Sequence, residues 1–557
     1  MSRDPEMERN YFLAIVLSLL VVVGYPLFMQ KTRNPNPIGE EAKIEENKED
    51  VSGGQSERDW AEETPSASAI QIPTKPSIET FENDLFYIEF TSLGGAISKL
   101  VYKGEHKNGG VDATSFFDQD SLQTGIFGTK ISHENIDLTQ AIFGVKKGAG
   151  GKEIVEFSYE KPEEFRLVKR YYVDSEHPVL GQDMIIENLS SRTKHFPVEF
   201  VYGMQYDLSD SMIARSYELV ARTDKIESAN IHKIAKKGYD LSAEITWAGL
   251  IKRYYALIVN PDWKIIHISS NTDKESAKTG TLYTTLRMEP ISIEPGQKIG
   301  KQFFVYAGPQ RYETLKSFNM GFEKILTRGF LGNFKIWILL ALKFIYRYTH
   351  NYGWAIILFT LLLKGVFLPL THQSSKQMKK MQALNPKVKA LQERLKSDPQ
   401  KMQKELTQLY KRNKVNPAAG CLPMLIQMPI FIAMFRLLPE AVELKGAPFI
   451  WWIKDLSQPD RLLTLPFTIP LLGWDAINLV PIVMVVSQFW YQKTMPQPST
   501  SNEQAKIMAF MPVFFGFICY NMPSGLVLYW FMQNIFSVIH QVFINKIVVV
   551  LHHEDRE

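Results

Sequence analysis

The stretch WAIILFTLLLKGVFLPL, residues 354–370, decides how this chain folds. It is apolar except for Thr360 and Lys364, and a strongly basic loop follows it at once. An ionisable residue inside such a segment marks a functional site by default. The alternative is a snorkelling lysine, because at helical rise the ammonium lies roughly 9 Å from the end of the run. The other apolar segments also carry polar side chains: Gln427, Gln488, Asn521, Gln533 and Asn534. These residues favour a polar-lined site within a membrane.

The first apolar run, Tyr11–Met29, has no charged residue over 19 positions, which is long enough to cross a hydrocarbon core of about 30 Å. The sequence continues through Gly24-Tyr25-Pro26 without the small-x-small pattern of a signal-peptidase site. We therefore predict an uncleaved signal anchor. Further membrane spans are predicted at 354–370 and at about 421–438, 477–491, 507–520 and 526–549.

Loop charge predicts the orientation of these six spans. The loop 372–417 holds 12 Lys or Arg residues and three acidic ones, a net charge of +9. The loop 440–470 holds three basic and four acidic residues. Because cationic loops stay on the cytoplasmic side, both termini are predicted to be cytoplasmic and the long stretch after the first span external.

The external stretch divides into a polar linker and a β-rich region. Residues 31–76 are rich in Glu, Lys, Ser, Pro and Gly, a composition that cannot bury enough apolar surface to fold. From about Ser77 the pattern becomes period-two alternation, as in Phe86-Tyr87-Ile88-Glu89-Phe90, with turn clusters between the runs. This pattern predicts a large β-sandwich without disulfides, because both cysteines lie in or at the later apolar segments.

Two further segments have amphipathic helical patterns. In 331–350, Lys335, Lys343 and Arg347 fall on one helical face, which predicts a helix lying in the membrane interface. In 372–417 the apolar residues recur every three or four positions on either side of Ser397-Asp398-Pro399. This predicts a helical hairpin whose lysines face outward. The charge is either a solvated face or a binding surface for anionic lipids or ribosomal RNA. Another apolar stretch, 462–474, is interpreted as a further interfacial segment.

Two motifs carry a family resemblance: VNPAAGCLPMLIQMPIF, residues 415–431, and PSGLVLYW, residues 523–530. With the Lys364-Gly365-x-x-x-Pro369-Leu370 end of the second span, they resemble the YidC/Oxa family of membrane protein insertases. The preceding anchor and β region are similar to the periplasmic supersandwich of the Gram-negative YidC type. The resemblance implies a multi-span α-helical membrane protein, with a core of five transmembrane helices plus the anchor helix and an inserted all-β periplasmic domain. The implied segments are an anchor helix (1–30), a flexible linker (31–76), the β-sandwich domain (77–325), the interfacial helix (326–350), the insertase core (351–549) with its cytoplasmic hairpin (372–417), and a short tail (550–557).

The resemblance implies a hydrophilic groove with one cationic residue, which here is Lys364 where the family usually has arginine. A lysine still attracts a carboxylate, but it cannot form the bidentate hydrogen bonds of an arginine. The other implied groove residues are Thr360, Gln427, Asn534 and Gln533. Positions implied to form an apolar slide for the client's span are Leu425, Met428, Phe431, Ile518 and Trp530. Alternatively, Gln427 bonds a helix carbonyl, Asn534 joins helices, and the apolar residues pack or face lipid.

The implied function is insertion and folding of nascent inner-membrane proteins, alone or with the Sec translocon, without catalysis, cofactor or metal. The implied partners are nascent membrane proteins, Sec translocon components, the ribosome through the cytoplasmic hairpin, and anionic lipids, but not DNA. The implied location is the inner membrane of a Gram-negative bacterium. A transporter or channel with a periplasmic sensing domain is the alternative, although we see no inverted repeat among the spans.

Overall fold

The computed structural model describes residues 75–104, 113–118, 125–131, 136–150, 153–209, 214, 216–276, 278–416, 422–469, 474–495 and 502–554. The predicted anchor and nearly all of the linker lie outside the described residues. Residues 70–557 form one compact unit. It holds a β-rich part followed by a helical part.

The β-rich part contains most of the strands. Their bounds are β1 Ile78–Glu82, β2 Phe86–Thr91, β3 Ala96–Tyr102, β4 Thr114–Asp118, β5 Gly128–Ile131, β6 Ile136–Asp137, β7 Gly144–Gly150, β8 Glu153–Lys161, β9 Phe165–Val173, β10 Val179–Asn188, β11 Lys194–Phe196, β12 Val198–Asp207, β13 Glu218–Arg222, β14 Ile226–Asn230, β15 Tyr239–Ile245, β16 Trp247–Lys252, β17 Tyr255–Pro261, β18 Ile265–Lys274, β19 Thr279–Met288, β20 Ile291–Ile293 and β21 Lys298–Pro309.

These strands form two large antiparallel sheets and two smaller ones. The nine-stranded sheet has the order β14-β13-β16-β17-β21-β10-β9-β8-β7, and the six-stranded sheet the order β15-β18-β19-β12-β5-β6. Strands β1 to β4 form a third sheet in chain order, and β11 pairs with β20. Period-two burial is clearest in β9, where buried and half-buried residues alternate from Phe165 to Val173.

The core of this domain lies between the two large sheets. Phe200 of β12 stacks on Phe303 of β21 with ring centroids 4.5 Å apart, and Phe127 stacks on Phe200 at 5.4 Å. All three rings are buried. The predicted β-sandwich is thus confirmed, since aromatic side chains from both inner faces share one core.

The helical part begins after β21. The helices are α1 Ile231–Lys237, which lies within the β domain, then α2 Tyr312–Ser317, α3 Lys324–Thr327, α4 Gly332–Thr349, α5 Tyr352–Ala383, α6 Asn385–Arg394, α7 Pro399–Arg412, α8 Leu422–Leu437, α9 Leu479–Thr494, α10 Asn502–Cys519 and α11 Ser524–Glu554. Two more strands, β22 Leu463–Ile469 and β23 Trp474–Ile477, lie between α8 and α9. Among the described residues, α5 and the 524–543 part of α11 are long and apolar enough to cross a membrane, and 427–437 and 509–519 are shorter apolar helical segments.

Helix α5 corrects the predicted end of the second span. It begins with Asn351, whose Oδ1 accepts hydrogen bonds from the N–H groups of Gly353 and Trp354 at 2.9 and 3.2 Å. It then continues past Leu370 to Ala383, through what we had predicted to be the start of a separate amphipathic helix. The helix ends at Ala383, because Pro386, in the first turn of α6, has no N–H to bond the carbonyl four residues earlier. The basic loop therefore consists of the end of α5 followed by α6 and α7.

Helix α4 turns its lysines toward the protein. Lys343 Nζ lies 2.6 Å from Glu313 Oε1, and Lys335 Nζ lies 3.5 Å from Glu440 Oε2. The outward face instead exposes Trp337, Leu340, Phe344 and Tyr348. The side facing away from the protein is thus largely apolar, although Arg347 is exposed beside it. The position of α4 in the membrane interface stays a prediction.

In the predicted interfacial segment 462–474, the described residues, 462–469 and Trp474, form no helix. The segment contributes β22, which pairs with β23 through Leu463↔Ile477 and Thr464↔Ala476. Strand β22 is rich in Thr, Phe and Ile and contains Pro466, a composition that favours extended backbone over a helix.

Candidate functional site

The candidate site is a small, partly open cavity of about 20 Å³ among three helices of the helical part. Its lining residues are Leu363, Lys364, Phe367, Leu370 and Thr371 of α5, Gln427 and Ile430 of α8, and Gln533 of α11. Most of this wall is apolar, with one ammonium and two amide side chains among the polar groups. The cavity thus joins three of the residues that the sequence nominated: Lys364, Gln427 and Gln533.

Lys364 brings a positive charge to this cavity. The side chain is half-buried, and no carboxylate of the described residues forms an ion pair with it. His540 lies near it, and the ring centroid of His540 is 6.4 Å from that of His372. A cation without a counter-ion in a partly dry cavity attracts anionic and strongly dipolar groups, since the surroundings screen it less than water does.

Gln533 brings a polar group with unused hydrogen-bonding capacity. Its side chain is buried, and Nε2 lies 3.3 Å from Tyr529 Oη. Its carbonyl oxygen Oε1 has no hydrogen-bond partner among the described residues. A buried acceptor of this kind is unfavourable unless water or a ligand bonds to it.

Two other nominated polar residues do not line the cavity. Thr360 is fully buried, and its hydroxyl donates a 2.6 Å hydrogen bond to the Ile356 carbonyl of its own helix. Asn534 Nδ2 donates a 3.0 Å hydrogen bond to Ser487 Oγ, which joins α11 to α9. Thr360 lies one turn deeper than Lys364 on the same helical face, so the cavity ends before it reaches that level.

The nominated apolar residues are partly packed together. Phe431 of α8 makes a T-shaped contact with Trp530 of α11 at 4.8 Å between centroids, and Trp530 contacts Phe515 at 4.9 Å. Ile518 is 44% exposed, and Met428 is half-buried. The side chain of Leu425 lies outside the described residues. These contacts fit helix packing as well as client contact.

The lower part of the cavity wall was not predicted from the sequence. Phe367 and Thr371 follow Lys364 by three and seven residues, which is the spacing of one helical face. That spacing could have identified both of them. Ile430 could not have been found in this way, because its place opposite Lys364 depends on how α8 packs against α5.

Comparisons with known proteins cover both parts of the chain. The family described as 60Kd inner membrane protein matches residues 344–551, and the family described as YidC periplasmic domain matches residues 79–340. A membrane protein insertase YidC from Pelobacter propionicus is 31% identical over 97% of this chain and 100% of its own length. One from Burkholderia multivorans is 31% identical over 86% of this chain and 87% of its own. A solved YidC insertase structure is 20% identical, covers 84% of this chain and 93% of its own, and superposes with a TM-score of 0.37.

Proposed function

Because this chain belongs to the YidC family of membrane protein insertases, we propose that it inserts client proteins into the bacterial inner membrane by way of the cavity at Lys364. The observation that carries this proposal is the ammonium of Lys364, which pairs with no carboxylate of the described residues and shares one cavity with the amides of Gln427 and Gln533. The mechanism follows from the physics of polar groups in a bilayer.

A client's polar tail meets a barrier in the hydrocarbon layer. Each unpaired polar group there costs several kcal/mol, and water is absent from the layer. A cavity with hydrogen-bonding groups in its wall that reaches partway into the layer shortens the distance over which the tail lacks partners. The barrier to crossing falls accordingly.

Lys364 supplies the attraction for the tail. Acidic and polar tail residues approach its ammonium, while Gln427 and the free oxygen of Gln533 offer hydrogen bonds. A lysine makes a compact point-charge contact, so its hold on a carboxylate is weaker and more easily released than that of an arginine fork. The site binds and releases the tail without any covalent step, and the chain therefore acts as an insertase and chaperone rather than as an enzyme.

The client's apolar span moves along the outer surface of the helices. In this proposal Met428, Phe431 and Trp530 form part of the path, together with Ile518 and Leu425. Transfer of the span into lipid is favourable by about 25 cal/mol per Å² of apolar surface removed from water. That gain in free energy drives insertion of the span and, with it, transfer of the tail across the membrane.

The wider setting of the proposal is a multi-pass protein with both termini in the cytoplasm. The basic segment from the end of α5 through α7 then faces the cytoplasm, as its charge requires. Its lysines are suited to anionic lipid headgroups and to the ribosome that carries the client. Components of the Sec translocon are further partners in this proposal.

Reconstitution tests the function directly. Proteoliposomes that contain only this protein should insert a purified single-span client with an acidic tail, so that the tail becomes protected from external protease. Protein-free liposomes of the same lipid are the control. If the tail stays accessible with a client that a related insertase accepts, while the proteoliposomes conduct a solute, the transporter alternative replaces the proposal.

A further inference from the structure

Strand β22 of the β22–β23 ribbon is exposed on both of its faces, whereas β23 buries Ala476. Five of the seven β22 residues are exposed, and they include residues on both sides of the strand. Leu463 is 56% exposed and Phe467 is 61% exposed, and Ile477 at the end of β23 is 36% exposed. A strand that packs on a core shows alternating burial, so β22 is not covered by the described part of its own chain.

Strand β22 also lacks charge. No Asp, Glu, Lys or Arg occurs in Leu463–Ile469, and the nearest charged residues, Arg461 and Asp475, pair with each other at 3.2 Å between Nη2 and Oδ2. An isolated two-stranded ribbon is marginally stable in water, and an apolar one invites aggregation. The face of β22 that carries Leu463 and Phe467 therefore requires an apolar environment.

Polar contacts and ring stacking fix the base of the ribbon to the ends of two helices. Asp460 Oδ2 accepts hydrogen bonds from the N–H of Leu479, the first residue of α9, at 2.8 Å and from Trp452 Nε1 at 2.9 Å. Trp474 of β23 stacks on Tyr520, directly after α10, at 3.7 Å between centroids. The ribbon is thus held at the level where α9 begins and α10 ends.

This level faces the β domain. The connection between α8 and β22 contacts the β domain through the main-chain carbonyls of Pro439 and Ser457, which accept hydrogen bonds from Arg253. The ribbon follows on the same side of the helical part.

An apolar surface continues from the ribbon onto the helices. Phe517 of α10 is 54% exposed and contacts Trp474 at 5.9 Å, and Val486 of α9 is 63% exposed. Exposed apolar side chains on helices of a membrane protein face lipid, and aromatic rings such as Trp474 are typical of the boundary between lipid and water. The ribbon extends that surface.

Strand pairing with another protein fits the ribbon less well than lipid does. A partner that adds a strand needs an unbroken row of N–H and C=O groups along an edge. Pro466 lies in the middle of β22 and has no N–H to donate. Lipid contact needs only the apolar side chains.

We propose that the β22–β23 ribbon is a membrane anchor that lies in the interfacial layer of the leaflet on the β-domain side. Side chains such as Leu463 and Phe467 enter the layer between headgroups and acyl chains, where amphipathic segments are buried by about 5–10 Å. Through Asp460 and Trp474, the anchor holds the ends of α9 and α10 at a fixed depth in the bilayer.

Site-directed fluorescence tests the anchor in the full-length protein. Phe467→Cys and, on the opposite face, Thr468→Cys are made in a Cys421→Ala, Cys519→Ala background, labelled with an environment-sensitive probe and reconstituted into phosphatidylethanolamine–phosphatidylglycerol vesicles. The matched control is Ser228→Cys, an exposed position on the edge strand β14 of the β domain. Each protein is titrated with aqueous iodide and with lipids that carry a spin label at a shallow position.

The proposal predicts that probes at 467 and 468 emit at shorter wavelength than the probe at 228. They should be quenched several-fold less by iodide and strongly by the labelled lipid. Iodide quenching equal to that at 228 would overturn the proposal. Protection from iodide without quenching by the lipid would also overturn it, because the ribbon would then be covered by protein; dilution to one copy per vesicle would show whether a second copy is the cover.

Discussion

Arg253 in the β domain donates a 2.8 Å hydrogen bond from Nη2 to the main-chain carbonyl of Ser457 in the helical part. Its Nε donates to the carbonyl of Pro439 at 3.1 Å, and the residue is 6% exposed. Lys445 adds a second link, because its Nζ donates to Tyr255 Oη at 2.9 Å. The β domain is thereby attached to the segment that leads from α8 to the ribbon.

Removal of this guanidinium should loosen the attachment and leave both domains folded. Arg253→Ala leaves two carbonyls without their charged donor, and such bonds contribute roughly 1.5–3 kcal/mol each. We expect amides of the segment 440–457 to exchange hydrogen at least about tenfold faster, the equivalent of roughly 1.4 kcal/mol. Hydrogen-exchange mass spectrometry of the full-length protein measures this change.

Arg192→Ala is the matched control for that measurement. Arg192 is an exposed arginine of the same domain, and its loss should leave exchange in 440–457 unchanged. Equal effects of the two substitutions, or no effect of Arg253→Ala, would show that the attachment does not depend on Arg253.

Lys169 should make the stability of the β domain depend on pH. The side chain is fully buried, and Nζ donates to the carbonyls of Gly94 and Phe127 at 2.8 and 3.1 Å. Burial lowers the pKa of Lys169 from 10.5 to about 7. Between these two values the unfolded chain binds the proton more tightly than the folded chain does, so the free energy of unfolding should rise as the pH is raised from 7 toward 10.

Lys169→Met should remove that rise and lower stability by about 2 kcal/mol at pH 7, because buried carbonyls lose their donor. Thermal unfolding of the protein in detergent at pH 7 and pH 9.5 provides the comparison, with the exposed Lys298→Met as control. If the stability of the wild type changes with pH in the same way as that of Lys169→Met, the predicted pH dependence does not come from Lys169.

Gln533 and Asn534 are neighbours in sequence, yet we predict different consequences for their substitution. Gln533→Leu removes a polar group of the cavity and should slow insertion of polar tails with little change in stability. Asn534→Leu breaks the bond to Ser487 and should lower stability by about 0.6 kcal/mol, the average for such bonds between membrane helices, while insertion continues. Measurements of insertion rate and thermal unfolding for both variants test these two predictions.

A double-mutant cycle with Ser487→Ala isolates the bond of Asn534 from its other contacts. If Asn534→Leu abolishes insertion and shows no coupling to Ser487→Ala, then Asn534 acts in the groove as the sequence had suggested.

The fold class could be predicted from the sequence because period-two runs and long apolar runs are local patterns. The polar residues of the cavity were also visible, since Lys364 and Gln427 interrupt apolar runs. The continuation of α5 to Ala383 was missed because a change from apolar to basic composition does not end a helix. The helix ends before Pro386, which lacks the N–H that would continue its hydrogen bonds.

Contacts between distant segments left no pattern in the sequence. Arg253 and Ser457 are 204 positions apart, and neither stands out among its neighbours. Lys343 of α4 likewise looked like a cation for lipid headgroups, although Glu313 and Glu443 surround it in the structure. Periodicity shows which residues share a face, but not which surface that face meets.

The central claim is that the charge at Lys364 attracts the client's tail. The most direct test measures insertion into proteoliposomes by wild type, Lys364→Arg, Lys364→Ala and Lys364→Glu, each with an acidic-tailed client and with the same client carrying a lysine-bearing tail. Lys376→Glu, an exposed lysine further along α5, controls for loss of net charge. The account predicts that wild type, Lys364→Arg and Lys376→Glu insert the acidic tail, that Lys364→Ala is slower, and that Lys364→Glu fails with the acidic tail and accepts the basic one. Equal insertion of both clients by all variants would contradict it and would leave Lys364 as a lysine that only reaches toward the membrane surface.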